Sequence, residues 1–265
     1  MLSESQAKEA AESIWRCWQE GTVIDALPAP LRPTNRVEGY AVQAYYETLS
    51  GQPIAGWKIA ATSAAGQSHI GVDGPIAGRL LAAHVFEDGA TLDFGHNRLA
   101  VAEPEFAFRM NRDLPPRTQD YSVDEVLAAV GTLHAAIEIP DSRFEPVERA
   151  GAAQLIADNA CAHDFVLGPA MPETWRGTDL SQHKVTVTVD GKETHEGIGA
   201  NVLGDPRIAL AWIANELSRH GIGLKAGHVV TTGTCATPIP IAPGGSMTAD
   251  FGALGSVSAR FAKIA

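Results

Sequence analysis

The sequence predicts an α+β fold in which a mixed, curled β-sheet follows helices at the N-terminus. Capped amphipathic segments concentrate at the front of the 265-residue chain, whereas short apolar runs separated by glycine and proline dominate from Ile54 onward. Helical and strand patterns do not alternate regularly, which argues against a parallel βαβ architecture. We therefore expect an N-terminal helical segment at residues 1–52 and a β-roll at residues 53–265, within a single structural unit.

Two capped helices are expected in the helical segment. Ser3 stands three residues before a glutamine, in capping-box spacing, and Gly21 is a typical stop after the apolar periodicity ends. Asn35 and Glu38 repeat the capping-box spacing and predict a second helix that continues to about residue 49.

The rest of the chain predicts strands and turns. The run 54–60 reads as a strand, and the run 99–110 reads as a second strand whose Pro104 indicates an edge position or a bulge. Two strand-like runs around Asp190-Gly191 give the strongest hairpin pattern. The other predicted elements are a loop at 71–78, short strands at 91–94, 136–139 and 163–167, and helices capped by Ser122 and Asp205.

Composition excludes several classes of protein. The chain has 31 acidic and 20 basic residues, a formal charge of −11, which disfavours nucleic acid as a partner. No run of eighteen apolar residues predicts a membrane span. The three cysteines, Cys17, Cys161 and Cys235, are odd in number and widely spaced, and the acidic N-terminus does not resemble a secretory signal. We expect a reducing, cytoplasmic compartment.

Three glutamates are candidate metal ligands. Glu103 and Glu105 lie two apart in a strand-like run and would point to the same side, and Glu138 lies in another apolar run. An exposed edge pair is the simpler explanation of Glu103 and Glu105 by themselves, and Glu138 could equally face water. Together the three would form an all-oxygen site for Mg²⁺ or Mn²⁺. Lys58, also in an apolar run, would be the nearby cation or an edge residue that faces solvent.

Other catalytic patterns are absent or weak. The sequence has no G-x-S-x-G, P-loop, G-x-G-x-x-G or H-E-x-x-H motif, and its nine histidines show no metal-binding spacing. Cys161 has no obvious activating neighbour, so a catalytic cysteine is not expected.

Five segments in order resemble the 2-keto-4-pentenoate hydratase family. They are G-W-K-I-A-A-T-S with the following H-I-G-V-D-G-P-I-A-G-R-L, then A-E-P-E-F-A-F-R-M-N-R-D-L-P, A-A-I-E-I-P-D-S-R, A-D-N-A-C-A-H-D-F-V-L-G and G-T-C-A-T-P-I-P-I-A-P-G-G. The resemblance extends from about residue 54 to the end, and the N-terminal helices fit it too.

The resemblance implies a β-roll of the fumarylacetoacetate hydrolase C-terminal-domain type, a divalent metal, and a homo-oligomer, often a pentamer or decamer. It implies a small 2-oxo or 2-hydroxydienoic acid as substrate. The expected activity is hydration of a 2-hydroxy-2,4-dienoate in aromatic meta-cleavage catabolism. The alternative is decarboxylation of a 2-oxo-3-hexenedioate (4-oxalocrotonate), or another C–C bond cleavage of the same superfamily.

The family's functional positions can be carried over to this chain. Glu103, Glu105 and Glu138 match the metal ligands, Lys58 matches the catalytic lysine, and Asp73 matches an acid that lines the pocket. The resemblance also implies substrate-binding positions at Asn159, Cys161 and Thr234. Three departures from the hydratase pattern fall at or near the pocket: Cys161 stands where a serine is common, Pro140-Asp141 replaces a more usual pair, and the loop with Thr234 and Cys235 differs.

Overall fold

A computed structural model describes residues 1–263 and confirms the α+β class. Seven α-helices lie within these residues. They are α1 (Glu4–Glu20), α2 (Arg36–Gln43), α3 (Tyr46–Ser50), α4 (Ala64–Ile70), α5 (Val123–Leu127), α6 (Gly151–Ala157) and α7 (Pro206–Arg219). The helices at the N-terminus precede the first strand, as the sequence predicts.

The strands of the described chain form two sheets. They are β1 (Ile54–Ala60), β2 (Ile76–Leu81), β3 (Val85–Glu87), β4 (Thr91–Leu92), β5 (Val101–Met110), β6 (Val130–Ile139), β7 (Asp164–Ala170), β8 (Lys184–Val189), β9 (Glu193–Ile198), β10 (Val229–Thr234), β11 (Ile239–Pro240), β12 (Ser246–Asp250) and β13 (Ser256–Phe261). The larger, mixed sheet has the order β2-β1-β10-β5-β6-β7-β3, with β11 beside β5, and the smaller sheet has the order β4-β13-β12-β8-β9. The predicted hairpin around Asp190-Gly191 is β8–β9.

The N-terminal caps are partly as predicted. Ser3 accepts from the amide of Gln6 in a full capping box, and Gly21 ends α1 with φ of 62°. Asn35 caps α2, but a turn interrupts the expected long helix after Gln43. The carboxylate of Glu38 does not complete a capping box, because it accepts instead from Thr34 and from the amide of Leu2.

Pro104 lies in a central strand, so the edge position was wrong. β5 has β6 on one side and β10 with β11 on the other. The expectation of a bulge holds, because the pairing of β5 with β10 shifts register between Thr231 and Thr234. The irregular register lets a residue without an amide proton occupy the middle of the sheet.

Several element boundaries also differ from the predictions. The expected loop at 71–78 ends early, because β2 begins at Ile76, and α4 before it was not predicted. The helix capped by Ser122 is short and ends at Leu127, and the apolar residues Val130 and Leu133 after it lie in β6. Alternating burial and helical periodicity are indistinguishable over such short apolar runs.

One continuous apolar core joins the N-terminal helices to the sheets. Ile14 of α1, Tyr46 of α3, Phe106 of β5 and Leu210 of α7 all belong to it and are fully buried. In residues 1–263, no helix is both long and apolar enough to cross a membrane.

Candidate metal centre and its lysine

The pairing of two central strands brings the three predicted glutamates together. β5 and β6 are antiparallel, and their register places Glu103 directly opposite Glu138. Glu105 lies two residues further along β5 and therefore on the same face as Glu103. Carboxylate oxygens of the three residues lie within 4.8 Å of one another. The sheet therefore gathers three acids that are far apart in the sequence.

The cluster is electrostatically unfavourable without a cation. Glu105 and Glu138 are completely buried. Burial, with the negative charge of Glu103 beside it, raises the pKa of Glu105 to about 8. Burial also raises the pKa values of Glu103 and Glu138, although the charge of Lys58 opposes the rise. A positive ion among the carboxylates would relieve both the desolvation and the mutual repulsion.

The donor set fits a divalent metal ion. Oε1 of Glu105 and Oε1 of Glu138 are buried and have no hydrogen-bond partner among the described residues, and Oε2 of Glu138 has only an ion pair with Lys58. Buried oxygens of this kind are rare in folded proteins unless a ligand or ion satisfies them. Three carboxylates offer the hard oxygen ligands that Mg²⁺ and Mn²⁺ prefer.

Two residues that the sequence analysis missed hold Glu105 in place. Its Oε2 accepts a hydrogen bond from the hydroxyl of Thr231 and another, at 2.8 Å, from the amide of Gly233. Gly233 has φ of 103°, and a Cβ there would lie 2.3 Å from Oγ1 of Thr62. The glycine in this strand was the available signal, since glycine inside a strand often marks a close approach.

Lys58 lies beside the glutamates on β1. Its side chain is 2% exposed, and its Nζ lies 3.3 Å from Oε2 of Glu138 and donates to the carbonyl oxygen of Ala160 at 3.0 Å. Burial alone would lower the pKa of Lys58, but the negative charges of Glu138 and Glu103 outweigh burial and raise it. Lys58 is therefore a buried ammonium group, not an edge lysine that faces water.

A left-handed turn presents the Ala160 carbonyl to Lys58. Asn159, Ala160 and Cys161 have φ values of 55°, 52° and 59°. This conformation costs an alanine or a cysteine roughly 1–2 kcal/mol, whereas asparagine adopts it more readily. The turn also lies directly on β2, where a Cβ at Gly78 would approach the Asn159 carbonyl oxygen to 2.2 Å.

The side chain of Asn159 fixes this turn. Its Oδ1 accepts from the amide of Arg79 at 2.6 Å, and its Nδ2 donates to the carbonyl of Arg79 at 2.8 Å. Asn159 is completely buried, so these two bonds connect the turn to β2 away from solvent. The segment was predicted to bind substrate, and the structure gives its asparagine a backbone-holding position.

The remaining predicted substrate-binding side chains differ in their surroundings. Burial, with the negative charge of Asp158 nearby, raises the pKa of the Cys161 thiol to about 12, so the group stays protonated at neutral pH. Thr234 lies opposite Glu105 in the β10–β5 register, and its hydroxyl donates to the carbonyl of Ala236 at 2.7 Å. The structure thus brings the Thr234 backbone next to the glutamate cluster.

Asp73 lies at the surface. Its side chain is 83% exposed and forms a 2.8 Å ion pair with Nη2 of Arg36 on α2. The hydrogen bond from Arg36 lowers the pKa of Asp73, so the carboxylate is ionised. The structure does not bring Asp73 into contact with the glutamates or Lys58 within residues 1–263, and its role in the pocket stays a prediction.

A buried ion pair joins the Glu138 segment to the Asn159 turn. The guanidinium of Arg143, five residues after Glu138, binds the carboxylate of Asp158, and its Nη2 donates to the Asp158 carbonyl at 2.6 Å. Ser142 donates to the same carboxylate at 3.0 Å. Both charged partners are almost fully buried, so neither can lose the other without leaving a charge unpaired. The pair fixes the turn relative to the third glutamate.

Comparisons with known proteins give the family of the chain. The family model described as fumarylacetoacetate (FAA) hydrolase C-terminal matches residues 67–262. The 2-keto-4-pentenoate hydratase of Burkholderia vietnamiensis is 34% identical over 88% of this chain and 90% of its own length. The 2-keto-4-pentenoate hydratase of Paraburkholderia xenovorans is 33% identical over 98% of this chain and 96% of its own.

A solved structure shares the fold over almost its whole length. It is the 4-oxalocrotonate decarboxylase of Pseudomonas putida G7 complexed with magnesium and adipate, with a TM-score of 0.86 and 28% identity over 98% of this chain and 99% of that one. Together with the match to the FAA hydrolase model, these relatives show that the chain belongs to the 2-keto-4-pentenoate hydratase family of the fumarylacetoacetate hydrolase superfamily.

Proposed function

We propose that this enzyme is a metal-dependent hydratase that adds water to a 2-hydroxy-2,4-dienoate and gives a 4-hydroxy-2-oxo acid. The observation that carries the proposal is the buried cluster of Glu103, Glu105 and Glu138 beside the ammonium of Lys58. The names of the hydratase relatives support the same activity. Such a reaction belongs to the catabolism of aromatic compounds by meta-cleavage.

The three glutamates would hold the metal, Mg²⁺ or Mn²⁺. The magnesium bound by the decarboxylase of similar structure supports the first of these ions. A bound divalent ion supplies a Lewis acid for the carboxylate and 2-oxo oxygens of the substrate. The unpartnered oxygens of Glu105 and Glu138 are the groups that a metal would satisfy.

The charges in the pocket explain how an acidic protein binds an acidic substrate. With a metal bound, the three glutamates would be ionised, and the divalent ion together with Lys58 would neutralise their three negative charges. A substrate carboxylate would then enter a site without net repulsion, in surroundings where low polarity strengthens each remaining attraction. The formal charge of −11 for the whole chain therefore does not predict the sign of the site.

Lys58 would orient the substrate carboxylate or move a proton. Its Nζ is already held by the Ala160 carbonyl and the Glu138 carboxylate, so its position is fixed before substrate binds. Both of these neighbours present acceptor oxygens, so they suit an ammonium group that would donate a proton or pair with an anion. Asp73 would help to position water if its loop approached the site.

The groups around the turn would complete the substrate pocket. Asn159 would hold the backbone of the turn in place. Cys161, in this turn, and Thr234, at the end of β10, would contact the substrate. The Cys161 thiol would contribute a packing contact rather than a nucleophile, because a thiol with a pKa of about 12 stays protonated at neutral pH.

Decarboxylation of a 2-oxo-3-hexenedioate is the second candidate. The solved structure of high similarity is named as a 4-oxalocrotonate decarboxylase, and a decarboxylase of that name from Pseudomonas sp. strain CF600 is 32% identical over 80% of this chain. The same metal and lysine would serve both reactions. The two substrates differ at the end remote from the 2-oxo acid group, so the residues that bind this end would determine which reaction occurs.

One experiment separates the two candidates. Purified protein with Mg²⁺ is incubated with a panel of 2-hydroxydienoates and 2-oxo-hexenedioates, while ultraviolet absorbance and CO₂ release are followed together. Loss of dienoate absorbance without CO₂ supports hydration, whereas stoichiometric CO₂ supports decarboxylation. Failure to turn over any member of the panel, with oxalate still bound in the presence of Mg²⁺, would instead indicate a non-catalytic binder.

The assembly and location of the protein are further parts of the proposal. We infer a homo-oligomer, a pentamer or decamer, that acts in the cytoplasm on a small-molecule substrate. Sedimentation velocity on the Mg²⁺-loaded protein tests the assembly, and a monomer at micromolar concentration would contradict it.

A further inference from the structure

A second cluster of metal-ligating side chains lies outside the glutamate site. His84 ends the short 3₁₀ turn before β3, and Asp164 begins β7 directly after His163. β3 and β7 are parallel neighbours with Val85 opposite Phe165, so His84, one residue before Val85, lies beside Asp164, one residue before Phe165. The sheet thus joins histidines that show no metal-binding spacing in the sequence.

The three side chains converge through specific atoms. Nδ1 of His84 lies 2.8 Å from Oδ1 of Asp164, and Nδ1 of His163 lies 3.3 Å from the same oxygen. One ligand atom from each of the three residues lies within 4.8 Å of the others. With metal–ligand bonds of about 2.1 Å, the two separations from the carboxylate oxygen, 2.8 and 3.3 Å, correspond to angles of roughly 85–105° at a shared ion.

Hydrogen bonding alone does not account for the cluster. His84 makes a well-formed hydrogen bond to Asp164, but Nδ1 of His163 is buried and lacks a hydrogen-bond partner among the described residues despite its nearness to the carboxylate. A buried nitrogen of this kind calls for an explanation. A shared ion would satisfy the nitrogen and the carboxylate oxygen together.

The cluster opens onto a cavity of about 520 Å³. His84, His163 and Asp164 line this cavity together with Trp18 and His96, whereas the glutamates of the first site and Lys58 are not among its lining residues in the described chain. The ring of Trp18 packs against both imidazoles, with centroids 5.1 and 5.5 Å away. The aromatic contact orients the two rings, and the cavity leaves room for further ligands.

We propose that His84, His163 and Asp164 form a second metal site, which takes a divalent transition ion such as Zn²⁺ or Co²⁺ and leaves open coordination positions toward the cavity. Two imidazole nitrogens and one carboxylate suit these ions, whereas the all-oxygen glutamate site suits Mg²⁺. The two sites therefore differ in metal preference as well as in location.

Metal stoichiometry in the full chain tests the proposal. Co²⁺ is titrated into the protein in a large excess of Mg²⁺, which fills the glutamate site, and bound Co²⁺ is measured by visible absorption and by elemental analysis after dialysis. We expect one Co²⁺ per protomer, and the same equivalent after Glu105→Gln, because that variant alters only the first site.

Ring-preserving variants show which residues hold the ion. His84→Phe and His163→Phe keep the packing on Trp18 and should each lose the Co²⁺ equivalent, and Asp164→Asn should weaken binding at least about tenfold. His96→Ala is the matched control, since His96 lines the same cavity outside the cluster, and it should bind Co²⁺ as the parent does. Circular dichroism and retained Mg²⁺ binding establish that each variant is folded.

Two results would overturn the proposal. One is the absence of stoichiometric Co²⁺ in excess Mg²⁺. The other is undiminished Co²⁺ in a folded His84→Phe/His163→Phe double variant, which would place the ion on other residues. If the phenylalanine variants do not fold, retention of full Co²⁺ affinity by Asp164→Asn contradicts the proposal in the same way.

Discussion

The Lys58 ammonium donates a hydrogen bond of 3.0 Å to the carbonyl oxygen of Ala160, a residue held in the left-handed conformation. The bond connects the central sheet to the strained turn and leaves Nζ of Lys58 3.3 Å from Glu138. Strained backbone persists where surrounding contacts determine it, and it is concentrated at functional sites. The geometry of the lysine therefore depends on residues far from it in the sequence.

Loss of the Lys58 charge should abolish most of the turnover without loss of the metal. In Lys58→Met the apolar stem is kept and the ammonium is removed, so we expect kcat/KM to fall at least about 100-fold, the scale of a positioned proton donor. Mg²⁺ binding, measured by calorimetry, should persist. Lys184→Met, at an exposed position on β8, is the control. Near-normal turnover in Lys58→Met would exclude the proposed role.

Glu105→Gln should weaken Mg²⁺ binding. The substitution keeps the shape of the side chain but removes one ligand charge, and we expect the Mg²⁺ concentration for half-maximal activity to rise at least about tenfold. Excess Mg²⁺ should restore part of the activity. Glu196→Gln, at an exposed position on β9, should leave the Mg²⁺ dependence unchanged. An unchanged requirement in Glu105→Gln would remove this residue from the ligand set.

Thr231 should contribute to metal affinity although it is not a proposed ligand. Thr231→Val removes the hydroxyl that orients Glu105, and loss of such a partner typically weakens metal binding 10–100-fold. The adjacent Thr232→Val is a matched control, because Thr232 is equally buried and donates to the carbonyl of Phe106 instead. Equal Mg²⁺ affinities in the two variants would show that the Thr231 hydroxyl is not needed.

The turn at Asn159 should be sensitive to both hydrogen bonding and backbone conformation. Asn159→Ala leaves the Arg79 amide and carbonyl unpaired, and we expect a loss of about 2–4 kcal/mol in the free energy of unfolding. Asn159→Gly loses the same bonds but adopts positive φ easily, so it should be more stable than the alanine variant by roughly 1 kcal/mol. Urea denaturation measures both, and equal stabilities would argue against backbone strain.

Glu38 should make the protein sensitive to acid. The hydrogen bond from the Thr34 amide, with others from Thr34 and Leu2, outweighs burial and holds the pKa of Glu38 at about 2, against 4.5 in the unfolded chain. Because the folded pKa is lowered, the carboxylate stabilises the fold above pH 4.5, and this contribution is lost as the pH falls toward 2. The parent should therefore exceed Glu38→Gln in stability at pH 6.

The pH dependence of stability tests whether ionisation of Glu38 is the cause. The stability difference between the parent and Glu38→Gln should shrink as the pH falls from 4.5 to 2, whereas Glu9→Gln, at an exposed position on α1, should follow the parent. A difference that stays constant over this range would show that hydrogen-bond geometry, rather than ionisation of Glu38, stabilises the N-terminal helices.

Much of the fold and the first site follows from local sequence patterns. Capping residues, alternation and turn glycines predicted α1, β1 and the β8–β9 hairpin, because these depend on neighbours within a few residues. The two-residue spacing of Glu103 and Glu105 predicted that both face one side, and the motif order predicted the family. The division at residue 52 stays a prediction, since one core joins the helices to the sheets.

Tertiary structure decided what strand pairing and burial control. Whether Pro104 lies at an edge, whether Lys58 faces water, and which groups hold Glu105 all depend on strands brought together from distant parts of the chain. The contact between His84 and Asp164 likewise depends on the pairing of two parallel strands from distant parts of the chain. The sequence by itself determined which residues are chemically suited to bind metal, but only the register of the sheet determined which of them meet. Strand pairing is stabilised by many residues that are far apart in the sequence, so no short motif specifies it.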